Sequence, residues 1–201
     1  MRPIGEILAA TEGMTSIEEA LLLYELAREV SDGCIVEVGA YRGRTTVALG
    51  RGSLDGHGVP VYAIEPHAQF TGVLGGRFGP ADAAAFYRAV LESACAPVVK
   101  LVSLSSEQIT AGWRIPVRLL WIDGDHRYEG VRLDWESWRP HLTPGAIVVF
   151  DDASDPSIGP HRLIGELLRS GEIERIREAG KMAVLRYPDR ARSSSCSRLR
   201  S

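Results

Sequence analysis

Residues 119–152 read LLWIDGDHRYEGVRLDWESWRPHLTPGAIVVFDD, and each of the two short apolar runs in this stretch ends on acidic residues. The first run leads into Asp123 and His126, and the second leads into Asp151 and Asp152. Apolar runs of this length, bounded by glycine, proline and charge, are typical of buried parallel strands. Because ligands bind outside the carboxyl ends of such strands, we expect these side chains to converge on one cleft.

Carboxylates that converge in this way repel one another unless protons or a cation intervene. Oxygen ligands of this kind suit a divalent metal ion. The alternative is that Asp125 begins a helix and that Asp151 and Asp152 begin a turn, two roles in which Asp is common. We favour a functional site because a helix-length segment separates the two acidic strand ends.

Composition narrows the class of protein. A chain of 201 residues with 45% hydrophobic and 24% charged residues fits one globular domain. The net charge of −3 gives no electrostatic footprint for nucleic acid or an anionic membrane, and no apolar run is long enough to span a bilayer. We therefore expect neither nucleic acid nor membrane as a partner.

The amino terminus and the cysteines indicate the compartment. Residues 1–16 carry two glutamates and no long apolar segment, so they do not resemble a signal peptide. Three cysteines without metal-type spacing, Cys34, Cys95 and Cys196, favour a reduced, cytoplasmic protein with free thiols.

A glycine loop follows the first buried strand. The strand Cys34–Val38 leads into the sequence GAYRG at 39–43, and a helix is predicted from Thr45. Glycines let the backbone approach a ligand, and the helix start presents amide donors to it. The loop is not G-x-G-x-x-G, and Glu37 before it suits an ammonium group or the loop backbone better than a pyrophosphate. A purely structural turn is the alternative.

An acidic residue also ends the second predicted strand, Val61–Ile64. Glu65 lies 22 residues beyond Gly43, in the range where an acid hydrogen-bonds ribose hydroxyls in α/β nucleotide sites. The alternative is an ordinary turn residue, and the preceding glycine loop favours the ribose role.

The remaining pattern predicts one domain at 1–189, which begins with a helical segment at 1–33. A capping box is predicted from Thr15 and Glu18. Residues 72–80 are predicted to form a loop, and residues 142–145 a turn before the fifth strand. The Ser/Arg-rich tail, 190–201, has almost nothing to bury and is expected to be disordered.

The order of strand, glycine loop, helix, acid-ended strand, I-D-G-D-H and V-F-D-D resembles the class I S-adenosylmethionine-dependent methyltransferases. Within that group, CIVEVGAYRGRTTVAL and the stretch 119–152 resemble bacterial metal-dependent small-molecule O-methyltransferases, of the macrolide-sugar and methylmannose-polysaccharide types. The resemblance covers about 30–185. It implies an α/β, Rossmann-like fold with a mostly parallel seven-stranded sheet, flanking helices and an antiparallel last strand.

The resemblance also implies roles for individual residues. His126 would be the general base, with Asp123 beside it in the catalytic centre. Apart from the resemblance, our hypothesis is that Asp125 orients His126 or the loop and is not itself a metal ligand. S-adenosyl-L-methionine would be the cofactor, and its expected contacts are Glu37, Gly39, Ala40, Tyr41, Gly43, Thr45, Glu65, Ser105 and Asp123. Mg²⁺ would be held by Asp123, Asp151 and Asp152. Tyr41 replaces the middle glycine of the usual G-x-G-x-G, which leaves the cofactor contacts open.

The implied reaction is methyl transfer to a hydroxyl of a small molecule or sugar. Non-catalytic binding of S-adenosylmethionine and methylation of a phenol or catechol remain open alternatives. A nicotinamide-dependent oxidoreductase would need the glycine motif that is missing here, and a metal-dependent hydrolase gives no account of the glycine loop or Glu65. Enzymes of this type are often dimers or larger, so a homo-oligomer also stays open.

Overall fold

A seven-stranded sheet runs through the part of the chain that the computed structural model describes, residues 2–189. The sequence prediction for the tail, 190–201, lies outside these residues. The sheet strands are β1 (Cys34–Val38), β2 (Val61–Ile64), β5 (Val99–Val102), β6 (Val117–Ile122), β7 (Leu142–Phe150), β8 (Glu174–Ala179) and β9 (Met182–Arg186). A separate hairpin pairs β3 (Phe70–Thr71) with β4 (Arg77–Phe78).

The strand order is β5-β2-β1-β6-β7-β9-β8. Strands β5, β2, β1, β6 and β7 pair in parallel, whereas β9 is antiparallel to both of its neighbours, β7 and β8. This arrangement confirms the Rossmann-like methyltransferase fold and the antiparallel last strand. It also brings the carboxyl ends of the five parallel strands to one edge, where the predicted site residues lie.

Helices cover both faces of the sheet. They are α1 (Ile4–Ala10), α2 (Ile17–Arg28), α3 (Arg44–Asp55), α4 (Asp82–Glu92), α5 (Ser106–Thr110), α6 (Tyr128–Trp138) and α7 (Gly159–Ser170), with a short 3₁₀ turn at Arg139–His141. Within residues 2–189, no helix combines the length and the apolar character needed to cross a bilayer.

Alternation along the buried strands divides the core into two layers. Ile35, Leu119 and Trp121 pack with the side chains of α1 to α4 on one face. Val36 and Leu120 pack on the other face with residues of α6 and α7. Because successive strand side chains point to opposite faces, a continuous apolar run is what a sheet covered on both sides requires.

Three sequence expectations about local structure are corrected. The capping box of α2 is formed by Ser16 and Glu19, one residue later than predicted. The expected loop at 72–80 contains part of the β3–β4 hairpin, in which the rings of Phe70 and Phe78 lie 5.9 Å apart. The expected turn at 142–145 is already strand, because buried Leu142 pairs with Val117 at the start of β7.

Candidate active site

The carboxyl ends of β1, β2, β6 and β7 border a cavity of about 390 Å³. Among the predicted site residues, Glu37 and Gly43 are absent from its lining. The others all line it: Gly39, Ala40, Tyr41, Thr45, Glu65, Ser105, Asp123, His126, Asp151 and Asp152. The sheet therefore brings the glycine loop and the acid cluster, which are distant in sequence, to one cavity.

The glycine loop fits tightly against the end of β6. Gly39 has a φ of +83°, and a Cβ atom at this position would overlap the carbonyl oxygen of Asp123. The amide of Asp123 in turn donates to the carbonyl of Val38 at 2.8 Å. Gly43, with a φ of +96°, is the residue at the start of α3. Glycine at 39 is therefore required by both conformation and space.

Glu65 contacts the same loop through its carboxylate. Its Oε2 accepts hydrogen bonds from the amides of Ala40 and Tyr41, each at 3.2 Å, and its Oε1 accepts from the amide of His67 at 2.7 Å. Glu65 lines the cavity while it holds the loop, and its contact with a ribose stays a prediction.

Glu37 lies behind the loop and does not border the cavity. It is fully buried, and its carboxyl oxygens accept hydrogen bonds from the hydroxyls of Thr45 and Thr46 at the start of α3. Burial raises its pKa to about 7, against the lowering effect of the two hydroxyls. Its described partners are side chains of the helix, and the contact of Glu37 with the cofactor stays a prediction.

The acid cluster surrounds one imidazole nitrogen. Nε2 of His126 lies 3.6 Å from Asp123, 3.9 Å from Asp151 and 3.6 Å from Asp152. Among residues 2–189, neither this nitrogen nor Oδ1 of Asp151, both buried, has a hydrogen-bond partner. Two buried polar atoms without partners at one place are open to an ion, a water or another ligand.

The three side chains Asp123, His126 and Asp151 offer ligand atoms that lie within 4.8 Å of one another and could hold a metal ion. Burial, followed by the neighbouring carboxylate of Asp151, raises the pKa of Asp123 well above its ordinary range. A carboxyl group in this position favours a proton or a cation beside it. Asp152 stands outside that group of three, and its backbone adopts a φ of +48°.

Lys181 is the residue that sequence reasoning missed. Its ammonium lies 2.9 Å from Asp151 and 3.0 Å from Asp152. Although burial opposes the charge, the two carboxylates raise the pKa of Lys181 above its ordinary value. The sequence offered one signal, since Lys181 is one of only two lysines among 23 basic residues.

Of the two roles expected for Asp125, orienting His126 or the loop, the structure shows contacts with the loop. The carboxylate of Asp125 accepts hydrogen bonds from the amide of Arg127 at 3.0 Å and from the guanidinium of the same residue. It therefore shapes the turn that starts α6, which is the structural role left open for an Asp at this position.

The serines after β5 have different partners. Ser105 caps α5 by accepting a hydrogen bond from the amide of Gln108, and it also borders the cavity. Ser106 donates to Asp134 at 2.6 Å and accepts from the indole of Trp138 at 3.0 Å. Burial raises the pKa of Asp134, a further lining residue that the sequence did not single out, to about 6.

An apolar wall completes the cavity. Its side chains come from the segment before α2 and from the β3–β4 hairpin, and they are Met14, Phe70, Val73, Leu74 and Phe78. The ring of Tyr41 meets the edge of Phe78 with 5.2 Å between centroids, so the hairpin contacts the glycine loop directly. The cavity thus has a polar, acidic side and an apolar side.

Comparison with solved structures identifies the same fold elsewhere. An O-methyltransferase from Bacillus cereus in complex with S-adenosylhomocysteine is 17% identical and has a TM-score of 0.68, with 92% of this chain and 88% of that chain covered. TomG, an O-methyltransferase of tomaymycin synthesis from Streptomyces achromogenes in complex with S-adenosylmethionine, is 18% identical, with a TM-score of 0.65 and coverage of 88% and 82%.

A third structure has a sugar-modifying function in its description. CalS11, a TDP-rhamnose 3′-O-methyltransferase of calicheamicin biosynthesis, is 20% identical and has a TM-score of 0.63, with 85% of this chain and 77% of that chain covered. At these identities the comparisons establish the fold.

A family profile described as "Methyltransferase domain" matches residues 36–153, which span the glycine loop, Glu65 and the whole acid cluster. Since this match extends over more than half of the sequence, the chain belongs to the methyltransferase domain family.

Proposed function

We propose that this protein is an S-adenosylmethionine-dependent O-methyltransferase that acts on a hydroxyl of a small molecule or sugar. One observation carries the proposal: the glycine loop with Glu65 and the His126–aspartate cluster border a single cavity. A cofactor site and a proton-accepting site must adjoin for methyl transfer, because the two reactants have to be held at near-attack distance.

The cofactor side of the cavity suits a nucleoside that carries an amino-acid tail. S-adenosylmethionine, when bound, would supply a methyl group on a positively charged sulfonium. Gly39, Ala40 and Tyr41 of the loop line the cavity, so a ligand there would lie against the loop. Glu65 would bind the ribose hydroxyls, and Ser105 would border the adenine.

The acidic side suits a hard divalent cation. Asp123, Asp151 and Asp152 would hold Mg²⁺, and the buried, unpartnered Oδ1 of Asp151 supports that assignment. When bound, the ion would act as a Lewis acid toward the acceptor oxygen. The ammonium of Lys181 lies at the carboxylates of Asp151 and Asp152.

His126 is proposed to remove the hydroxyl proton. Its Nε2 is buried and has no described partner, so the nitrogen is available to an acceptor that enters the cavity. Histidine is the side chain most often used for this task. Once it is protonated, the imidazolium would be stabilised by Asp123 and Asp152, each 3.6 Å away.

Two classes of acceptor have support, one from a solved structure of the same fold and one from the apolar wall of the cavity. CalS11 is a TDP-rhamnose 3′-O-methyltransferase, and this chain shares its fold, which favours a sugar as the acceptor. The apolar wall with Phe70 and Phe78 favours a second candidate, a phenol or catechol, because an aromatic acceptor would pack against those rings.

The test combines binding and turnover. Calorimetry with S-adenosylhomocysteine should show one site per chain. Transfer of a labelled methyl group should then occur to a member of a panel of nucleotide sugars, free sugars and catechols, assayed with Mg²⁺ and with EDTA. Binding without transfer to any acceptor would favour a non-catalytic binder. Absence of binding would reject the proposal.

A further inference from the structure

The cation nearest to the proposed metal ligands belongs to the protein itself. Lys181 Nζ lies between the carboxylates of Asp151 and Asp152, at 2.9 and 3.0 Å. The side chain of Asp151 is only 4% exposed, whereas that of Lys181 is 33% exposed. Lys181 is therefore the more exposed partner of this contact.

The backbone holds this lysine in place from two directions. The amide of Lys181 donates to Oε1 of Glu19 on α2 at 2.9 Å, and its carbonyl accepts from the amide of Ala153 at 2.8 Å. Gly180 adopts a φ of +60°, and a Cβ atom there would overlap the same Glu19 oxygen. The turn between β8 and β9 is thus fixed to α2 and to the segment that carries the two aspartates.

The ammonium and a divalent cation would bind the same two carboxylates. Oδ2 of Asp151 and Oδ1 of Asp152 both contact Nζ. Two cations cannot share two carboxylates at hydrogen-bond distance without strong repulsion, since like charges in a partly buried site are weakly screened. The ammonium therefore opposes a metal ion that binds both aspartates, and such an ion binds more tightly once the lysine side chain moves away.

We propose that Lys181 competes with the divalent cation for Asp151 and Asp152 and thereby sets the metal affinity of the site. The inference rests on the proposed metal role of these aspartates. Its second support is Oδ1 of Asp151, which is buried, faces the cluster and has no partner among the described residues. That oxygen is available to a ligand even while the lysine occupies the other one.

The second lysine provides a matched control. Lys100 lies on β5, is exposed, and its ammonium contacts only a carbonyl, that of Pro97 at 3.4 Å, among the interactions described. Lys100→Met makes the same substitution as Lys181→Met and removes the same charge, but at a position away from the aspartates.

Mn²⁺ serves as the probe, with its free concentration followed by electron paramagnetic resonance. Lys181→Met is expected to bind Mn²⁺ at least tenfold more tightly than the wild type, whereas Lys100→Met binds as the wild type does. The double variant Lys181→Met, Asp151→Asn should lose the gain, which assigns it to this site. Lys181→Gln, with a shorter neutral side chain, repeats the test should the methionine variant fail to fold.

Unchanged or weaker Mn²⁺ binding in folded Lys181→Met and Lys181→Gln would overturn the proposal, as would a gain that survives Asp151→Asn. Calorimetry with S-adenosylhomocysteine on the same preparations tests the proposed methyltransferase function separately from the competition between lysine and metal. Cofactor binding with unchanged metal affinity rejects the competition alone. If the wild type does not bind S-adenosylhomocysteine, the proposed function itself is rejected.

Discussion

At the scale of single residues, the buried carboxyl of Glu37 links pH to stability. Burial raises its pKa from an ordinary 4.5 to about 7 in the folded protein. Below about pH 4.5 the group is protonated in both states and its contribution to stability is complete. As the pH rises toward 7, the unfolded chain loses the proton first, so the free energy of unfolding falls by about 3 kcal/mol.

Glu37→Gln should remove this dependence, because the amide is neutral at every pH and similar in shape. We expect the variant to gain about 3 kcal/mol relative to the wild type between pH 4.5 and 7.5, measured by urea unfolding at several pH values. A difference between the two proteins that stays constant over this range would show that folding does not shift the pKa of Glu37.

His126 carries the proposed proton transfer, and its loss should affect turnover more than binding. His126→Asn is expected to reduce the rate of methyl transfer about 10²- to 10⁴-fold. The dissociation constant for S-adenosylhomocysteine should stay within about threefold, because the Glu65 side of the cavity is untouched. His57→Asn, at an exposed position outside the cavity lining, is the control. Equal rates for both variants would remove His126 from the mechanism.

At the scale of elements, the glycine loop depends on the contact between β1 and β6. Gly39→Ala introduces a Cβ atom onto the carbonyl oxygen of Asp123. Gly58→Ala is a matched control, because Gly58 has a similar φ of +70° but nothing within 4 Å of the added atom. Gly39→Ala should lower the free energy of unfolding by about 1–3 kcal/mol more than Gly58→Ala.

The same variant should also weaken cofactor binding, since the displaced loop includes the amides that Glu65 contacts. Chemical unfolding and calorimetry measure the two effects. If the two alanine variants unfold alike, strain at positive φ is the whole effect and the close approach to β6 contributes nothing.

The start of α2 is tied to the far end of the chain by Glu19. Its carboxylate accepts hydrogen bonds from the amide of Ser16 at 3.0 Å and from the amide of Lys181 at 2.9 Å. Glu19→Ala leaves both amides without this acceptor and should lower the free energy of unfolding by about 2–4 kcal/mol. Glu18→Ala, at the neighbouring exposed position, should change it by less than about 0.5 kcal/mol. Similar losses in thermal unfolding for both variants would contradict this assignment.

This pair of residues also shows where sequence reasoning stops. Thr15 with Glu18 and Ser16 with Glu19 both match the capping pattern, so the local sequence does not separate them. The contact between Glu19 and Lys181 spans 162 positions and exists only in the folded chain. This long-range contact favours the capping box of Ser16 and Glu19 over that of Thr15 and Glu18, which the local sequence does not do.

At the scale of the whole molecule, the predictable elements are those with a strong hydrophobic periodicity or with glycine, proline or charged residues at their ends. The bounds of β1, β6 and α6 follow from apolar runs that end on glycine, charge or proline, and the acid cluster follows because parallel strands share an edge. Lys181 was not predictable in this way. It reaches Asp151 because β9 returns antiparallel beside β7, with Ala183 opposite Phe150, which places the preceding turn beside the acids.

Because the cavity is assembled from several strands and from segments far apart in sequence, a ligand that fills it should bind the folded state alone. Saturation with S-adenosylhomocysteine at 100 times its dissociation constant adds about 2.7 kcal/mol to the free energy of unfolding. For a chain of this size, that corresponds to a rise in melting temperature of roughly 5–10 °C.

Differential scanning fluorimetry measures the shift, with NADH as a matched ligand that shares the adenosine but lacks the amino-acid tail. NADH should give no comparable rise, because the loop lacks the glycine pattern for a pyrophosphate. Equal shifts with both ligands would mean that the cavity recognises adenosine alone, and the methyltransferase assignment of the loop would then lose its support.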